Sequence, residues 1–530
     1  MAGPLRFLFV GQFTAQPSGE RVTVSGERMA DVMARLKLRT AVVVADRLGN
    51  AGQRTYELQL GSARALRVAD VIADHQPLAA LAEIATALVR PGNAISIDDA
   101  IARVEQVVGA GPLSRALAAL QQPPTPAATT AAPSTAQAAP SPAAPAAVAD
   151  GIDGIFAQAD VPQGDDVVRA AKTGLDAFIG AMRGGREKAP ASRSDEQRRR
   201  ASSLVSDAVE ATAADLLSQD PVAALEANWR GLKLVLGESP GHSRLAVELL
   251  DASGDAIADA LSRVLDGELV PDAIFVTEAF ADPATMASLA ARGADASVPI
   301  IVTLDPEALE AGELPMQAWS ELRRTAAAAW LCAATNDLVA TYEATRVGPR
   351  VAFAAPVFAL AAMLAASLRR DGTFGDAFGR AGAIASPASR PLGDRRAGTR
   401  NIPTRAEMTP EPMRQMADVG VVVLGSEPGG ERLIAIGAPM VASADGPTLA
   451  GRILVGRAVR AAISARDGVS HGAGDDELAP ELARAAATIL PDGPPGTCVL
   501  RGRSQGNGFA ITAEFRPHAV GRAFSVAFAI

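Results

Sequence analysis

Few residues in this sequence are of types and spacings that could do chemistry, and their surroundings argue against most of it. Gly237-Glu238-Ser239-Pro240-Gly241 matches the G-x-S-x-G pattern in which a strained turn presents a serine nucleophile. That chemistry needs the N–H of the following residue for the oxyanion, and Pro240 has none. The pattern also follows a helix-like run and precedes a strand-like one, the reverse of the required order, so 237–241 is read as a helix-to-strand turn. Gly502-Arg503-Ser504-Gln505-Gly506-Asn507-Gly508 is glycine-rich like a phosphate cradle. It lies between two strand-like runs, with no helix start to face an anion, and is read as a hairpin turn. No G-x-x-x-x-G-K-[ST] loop occurs. Asp475-Asp476-Glu477 could pair carboxylates for acid–base work, but they open a helix pattern, where acids complement the helix dipole. The 2 cysteines, Cys332 and Cys498, and the 4 histidines, His75, His242, His471 and His518, show neither disulfide nor metal-ligand spacing. Cys332 falls in an alanine-rich run read as the end of a helix over 317–332, a buried small hydrophobe rather than a nucleophile. No catalytic residue, metal site or cofactor is expected.

The elements that would position such residues come from composition and periodicity. The chain has 530 residues, 48% of them hydrophobic and 21% charged, enough apolar content for sizeable cores. About 150 residues per domain gives roughly three or four units. A net charge of −9 and only 4% aromatics make nucleic-acid binding a poor fit. The few cysteines and the lack of a signal-peptide pattern lead us to expect a cytoplasmic protein. Residues 351–368 carry no charge and approach the spanning length, but they are alanine-rich and contain Pro356. A buried core helix is expected there, and no membrane association.

Residues 121–149 are Pro, Ala, Thr, Ser and Gln with no charge, so 121–150 reads as a disordered linker. Its reach is about 30 Å as a coil and at most roughly 90 Å as polyproline II. Before it, 1–120 reads as an α/β module with strands at 5–10, 21–25, 40–45 and 55–60, a helix through Met29, Val32, Met33 and Leu36, and helices after residue 60. After it, 151–200 reads as a helical segment and tether. Ile152, Ile155 and Phe156 lead, and Val168, Ala171, Leu175, Phe178 and Met182 recur at helical steps as one apolar stripe. The Arg-rich stretch 183–200 is interrupted by acids and reads as a solvated tether. Residues 201–530 read as one α/β domain with partly parallel strands at 244–250, 273–277 and 299–304. Asp220-Pro221 is expected to cap and open a helix carrying Leu225, Trp229 and Leu232 on one face. Strands at 419–424 and 432–436 are expected to pair, long helices to cover 448–466 and 475–490, and three strands to close the sequence at 497–503, 509–515 and 523–530. The fold class is α/β (α+β): two α/β modules with mixed sheets and flanking helices.

Two regions carry a resemblance. Leu225-Glu226-Ala227-Asn228-Trp229-Arg230-Gly231-Leu232 is similar to the Leu-Glu-x-x-Trp-Arg-x-Leu helix of the large subunit of the type VI secretion contractile sheath. Ile152-Asp153-Gly154-Ile155-Phe156-Ala157-Gln158 and 170–179 resemble the start of that subunit, and Trp319-Ser320-Glu321-Leu322-Arg323 its second Trp-x-x-Leu-Arg helix. Ile402-Pro403-Thr404-Arg405-Ala406-Glu407 and 419–424 resemble its later segments. Pro4-Leu5-Arg6-Phe7-Leu8-Phe9-Val10-Gly11-Gln12-Phe13 is similar to the opening of the small subunit. The resemblance covers most of the sequence and implies the two subunits fused in one chain through the linker.

The resemblance implies a structural, non-enzymatic subunit that polymerises with copies of itself into a helical tube. That tube would surround an inner tube protein, join a baseplate and eject the inner tube on contraction. It implies strand exchange between neighbours, which is β-augmentation. It also implies that Ile152, Ile155, Phe156, Val168, Ala171, Leu175, Phe178 and Met182 offer a segment to a ClpV-like AAA+ recycling ATPase. Leu225, Trp229, Arg230, Leu232, Trp319 and Arg323 would be the family's core positions. Two features depart from the family: its leading small-subunit strand has no counterpart before residue 5, and Thr335-Asn336-Asp337 stands where Pro-Arg is expected. The alternatives are a non-polymerising adaptor or baseplate-like component, and an enzyme whose site would be a glycine-rich pocket ringed by carboxylates.

Overall fold

Phe7-Leu8-Phe9-Val10 leaves no polar face, the pattern of a strand covered on both sides. The computed structural model places it mid-sheet. The structure describes residues 3–121 and 193–530, apart from 26, 50, 51, 63, 311–314, 394–398, 428, 429, 443–445, 471–473, 506 and 507. These form two compact units, one of residues 1–82 and 206–530, the other of residues 83–205. The expected linker and the segment from Ile152 to Met182 lie outside the described residues.

In chain order the strands are β1 (Leu5–Gly11), β2 (Arg21–Thr23), β3 (Arg39–Ala45), β4 (Gln53–Gln59), β5 (Leu245–Asp251), β6 (Ala273–Phe280), β7 (Ile300–Leu304) and β8 (Leu331–Thr335). Then come β9 (Leu338–Thr345), β10 (Gly348–Ala354), β11 (Ile384–Ala385), β12 (Arg390–Leu392), β13 (Arg400–Ile402), β14 (Val421–Val423), β15 (Gly425–Ser426), β16 (Arg432–Ile434), β17 (Cys498–Gln505), β18 (Gly508–Phe515) and β19 (Phe524–Ala529). The fold is mixed α/β, with helices flanking the sheets.

The main sheet has 7 strands in the order β14-β8-β7-β6-β1-β5-β2. All neighbours are parallel except β2 on β5. The strand expected at the head of an N-terminal module is therefore an interior strand, set between β5 and β6, with Leu5 opposite Leu245 and Phe7 opposite Ala273. Its side chains alternate between two cores. Phe9 stacks 5.3 Å from Phe358 of helix Pro356–Asp371 and 5.0 Å from Phe275. Leu8 and Val10 join Leu261, Met286 and Leu289 on the other face. Burial of this kind makes parallel strands read as unbroken apolar runs.

Polar anchors hold the N-terminal segment. Buried Asp251, at the end of β5, accepts from the Phe13 N–H at 2.7 Å, the Thr14 N–H at 3.0 Å and the Ser18 N–H at 2.8 Å. Glu248 takes Arg6 at 2.8 Å and Arg21 at 2.9 Å. Asp272 takes the Arg6 N–H at 2.9 Å and Arg457 at 2.8 Å.

Three expectations need correction. No helix spans 317–332: helix Met316–Arg323 and a 3₁₀ turn (Ala327–Trp330) precede β8, so Cys332 sits on a strand. Alanine's helix preference is overridden because every residue of β8 is buried in the sheet. The buried core helix expected in the uncharged run 351–368 is present as Pro356–Asp371, preceded by the end of β10, since Pro356 fits the first helical turn. No helix among the described residues is long and apolar enough to cross a membrane. The strands near 419–424 and 432–436 do not pair with each other: β14 lies parallel to β8, and β16 pairs with β11 and β15. The β14 residues are all buried and extend the main sheet, whereas Arg432 is exposed. Asp220 is the first helical residue of Asp220–Glu238 and Gln219 occupies the cap position, without a side-chain bond.

In the smaller unit, Ser96 caps helix Ile97–Val108 by accepting the Asp99 N–H at 3.0 Å, and helix Pro112–Ala119 follows. Helix Arg193–Leu217 enters this unit, where Ser202 donates to the Ala85 carbonyl at 2.7 Å and Gln197 to that of Leu120 at 3.2 Å.

Candidate assembly edge

The six positions that the sequence resemblance marks as core are held by packing and hydrogen bonds. Leu225, Trp229 and Leu232 are fully buried on helix Asp220–Glu238. The Trp229 indole donates to the Phe13 carbonyl at 3.0 Å, with the Phe13 ring edge-on at 5.8 Å. Gly231 lets this helix approach Phe358, whose ring a Cβ would overlap. Arg230 pairs with Glu226 at 2.8 Å and donates to the Leu66 carbonyl at 3.1 Å. Farther along, Trp319 donates to the Val419 carbonyl at 3.1 Å, while Arg323 donates to those of Val441 at 3.1 Å and Asp418 at 2.9 Å. The structure thus brings the first set against Phe13 and Leu66, and the second against Asp418, Val419 and Val441.

Sequence reasoning missed the buried cluster around Glu226. Glu226 also accepts from Thr341 at 3.0 Å and pairs with Arg350, which reaches Glu343 at 2.9 Å. Nothing in the helical spacing marks Glu226 as buried. It lies beside Leu225 on a helix whose covered face is wider than an apolar stripe, because the β9–β10 hairpin packs there too.

A crevice of ≈ 670 Å³ opens at the carboxyl ends of β1, β6 and β7, where open parallel sheets hold ligands. It is lined by Gly254 and by Glu278, Asp305, Glu307 and Asp337, the surroundings expected of an enzyme site. Three of these carboxylates already have structural partners. Glu278 accepts the Gly254 N–H at 2.8 Å, Asp305 the Glu307 N–H at 2.9 Å, and Asp337 pairs with Arg405 at 2.9 Å. Burial raises the Asp337 carboxyl above the usual range, and the Arg405 guanidinium opposes that rise. No cysteine or histidine lines the crevice. No group of three or more His, Cys, Asp or Glu among the described residues could hold a metal ion. Burial also pushes the Cys332 and Cys498 thiols up to about 12, far from the thiolate needed for nucleophilic chemistry.

A second candidate is the sheet β17-β18-β19. Its two outer strands are treated oppositely. On β17 the Asp475 carboxylate takes the Ser504 N–H at 2.6 Å, and Arg501 and Arg503 are exposed. Gly502 meanwhile admits Leu478 and Leu482 of helix Asp475–Ile489, which a Cβ would meet at 2.7 and 2.9 Å. Charge and a covering helix are common ways of closing an edge. The 6 residues of β19, Phe-Ser-Val-Ala-Phe-Ala, include no charge, no proline and no bulge. Ile530 and Phe509 exchange both backbone bonds at 3.0 Å, which sets the phase of the ladder. Phe524, Val526 and Phe528 therefore bond to β18, and the N–H and C=O groups of Ser525, Ala527 and Ala529 point away from it. No other strand among the described residues pairs with that edge. An uncharged, regular edge is a template for another strand.

No protein-family model matches this sequence, and no curated protein matches it. Among solved structures, a chain of the anti-feeding prophage baseplate superposes with a TM-score of 0.31 at 11% identity, covering 56% of this chain and 75% of that one. A sheath tail protein from Listeria innocua gives 0.32 at 11% identity, covering 54% and 61%. The contracted helical sheath of the anti-feeding prophage gives 0.31 at 10% identity, covering 56% and 76%. Superpositions this loose carry no argument about function.

Proposed function

We propose that the chain is a structural subunit of a contractile-sheath-type assembly, in which copies join strand to sheet into a helical tube. The observation that carries this reading is the uncharged outer edge of β19, unpartnered among the described residues. The sheath-like motifs around Trp229 and Trp319 support it, as both indoles are buried and donate to backbone carbonyls. In the finer form of this proposal, the chain fuses the small and large subunits of a type VI-like sheath in the cytoplasm. It surrounds an inner tube protein, joins a baseplate and performs no catalysis. Residues 151–183, outside the described part, are proposed to be gripped by a recycling ATPase. A peptide of that span that fails to bind a AAA+ unfoldase of this type removes that role.

Electron microscopy of the purified full chain tests the main reading. Long tubes are expected from the natural sequence, whereas discrete particles would indicate the adaptor. Ala527→Pro removes one outward N–H of β19 and leaves the bonds to β18 in place. It is expected to abolish the tubes without lowering thermal stability by more than a few degrees. Tubes that survive this substitution would rule out β19 as the assembly edge.

A further inference from the structure

An open edge needs a counterpart, and the strands of the same compact unit can be surveyed for one. The main sheet ends in β2 and β14, each 3 residues long. Short edge strands resist pairing. β10 carries Pro349 and a bulge at Ala352/Phe353, and β12 and β13 have 3 residues each. Part of the β9 edge is already used, since the Val339 N–H donates to Pro403 at 2.8 Å.

The hairpin of β3 and β4 is different. The Leu60 N–H bonds to the Leu38 carbonyl at 2.9 Å and the Asp46 N–H to the Gly52 carbonyl at 3.0 Å, which fixes the ladder phase. Thr40, Val42 and Val44 bond to β4, and the backbone groups of Arg39, Ala41, Val43 and Ala45 point away, the Ala45 carbonyl already accepting the Arg47 N–H at 3.0 Å. From Ala41 to Ala45 this edge has no charge, proline or bulge. On the other side of the hairpin, β4 presents Gln53, Thr55, Glu57 and Gln59, with a charge at its middle. Val43 is also one of the few large apolar side chains left exposed, at 50%.

We propose that the edge of β3 receives β19 of a second copy of this chain, an inference that rests on the assembly reading and names its partner strand. The two strands are similar in length, 7 and 6 residues, and beyond Arg39 the outward positions of β3, Ala41, Val43 and Ala45, are uncharged like Ser525, Ala527 and Ala529 of β19. Pairing two different edges is heterologous, so each junction leaves a β3 edge at one end and a β19 edge at the other. That geometry propagates. Pairing β19 with itself would close a two-fold dimer and stop.

The test uses the full chain with Val43→Pro, Val43→Lys and Ala527→Pro, read by electron microscopy and sedimentation, with circular dichroism melting as the control for folding. Val43→Pro removes an outward N–H only, and Val43→Lys keeps that N–H but places a charge on the edge. Both are expected to abolish tubes or raise the concentration needed for assembly by about tenfold or more. If Val43→Pro fails to fold, Val43→Lys decides. An equimolar mixture of Val43→Pro and Ala527→Pro chains retains one good edge of each kind, so cross-linkable dimers are expected in the mixture and in neither variant alone. Normal tubes from the folded Val43 variants, with tubes lost in Ala527→Pro, would overturn the β3 assignment and leave the assembly reading intact. A mixture without dimers would also overturn the assignment. A natural-sequence chain that forms no polymer would remove both.

Discussion

A chain cut once within residues 122–192 is expected to remain a single particle. β1 pairs on both sides, with β5 from Leu5 to Gly11 and with β6 from Phe7 to Val10. Phe7, Leu8, Phe9 and Val10 are fully buried. Four such side chains contribute about 6–12 kcal/mol of apolar burial, before the bonds to Asp251, Glu248 and Trp229 are counted. Ring stacking adds to this, because Phe9 touches Phe275 and Phe358 at once. The cleaved protein should therefore elute from a sizing column as the uncut one does, while a denaturing gel shows two pieces. Deleting residues 1–25 should have the opposite effect. It leaves β5 and β6 without their shared neighbour, and the product should be insoluble or bind hydrophobic dyes. Two pieces that separate under native conditions would show that β1 does not hold the N-terminal segment in place.

Loss of the Glu226 carboxylate should cause the largest effect of a single substitution. Arg350, with 6% of its side chain exposed, would keep Glu343 but lose its fully buried partner, and Arg230 and Thr341 would lose an acceptor. Breaking one side of a buried ion pair costs about 3–5 kcal/mol, because the remaining charge stays desolvated. Glu226→Ala should lower the urea midpoint accordingly. Glu226→Leu combined with Arg350→Met removes both charges and should recover a good part of the loss. A Glu226→Ala protein within about 1 kcal/mol of the natural one would mean that water reaches the cluster, so that it contributes as little as a surface pair.

Where a segment's own pattern suffices, the sequence was legible. The last three strands follow from alternation broken by glycine, and the helix from Leu449 to Asp467 starts where Thr448 accepts the Gly451 N–H. The G-x-S-x-G match at 237–241 lies in the turn that Pro240 implies, between helix Asp220–Glu238 and β5. The reading failed where packing overrode propensity. The alanine run at 326–329 suggested a helix reaching Cys332, yet a buried slot between β7 and β14 imposes a strand from Leu331. Glu226 carried no sign of its burial, because a helix face covered by both a sheet and a hairpin is wider than an apolar stripe.

By itself, then, the sequence determined the apolar faces, the turns, the scarcity of catalytic groups and the motif around Trp229, all properties of a residue and its near neighbours. Only the tertiary structure decided that Phe9 lies beside Leu249, some 240 residues away, and that β17 meets Asp475 while no described strand pairs with the outer edge of β19. The physical reason is that a strand's side chains fix which faces are buried, whereas its backbone edges are all alike. Which edge finds a partner depends on everything else the fold has placed beside it.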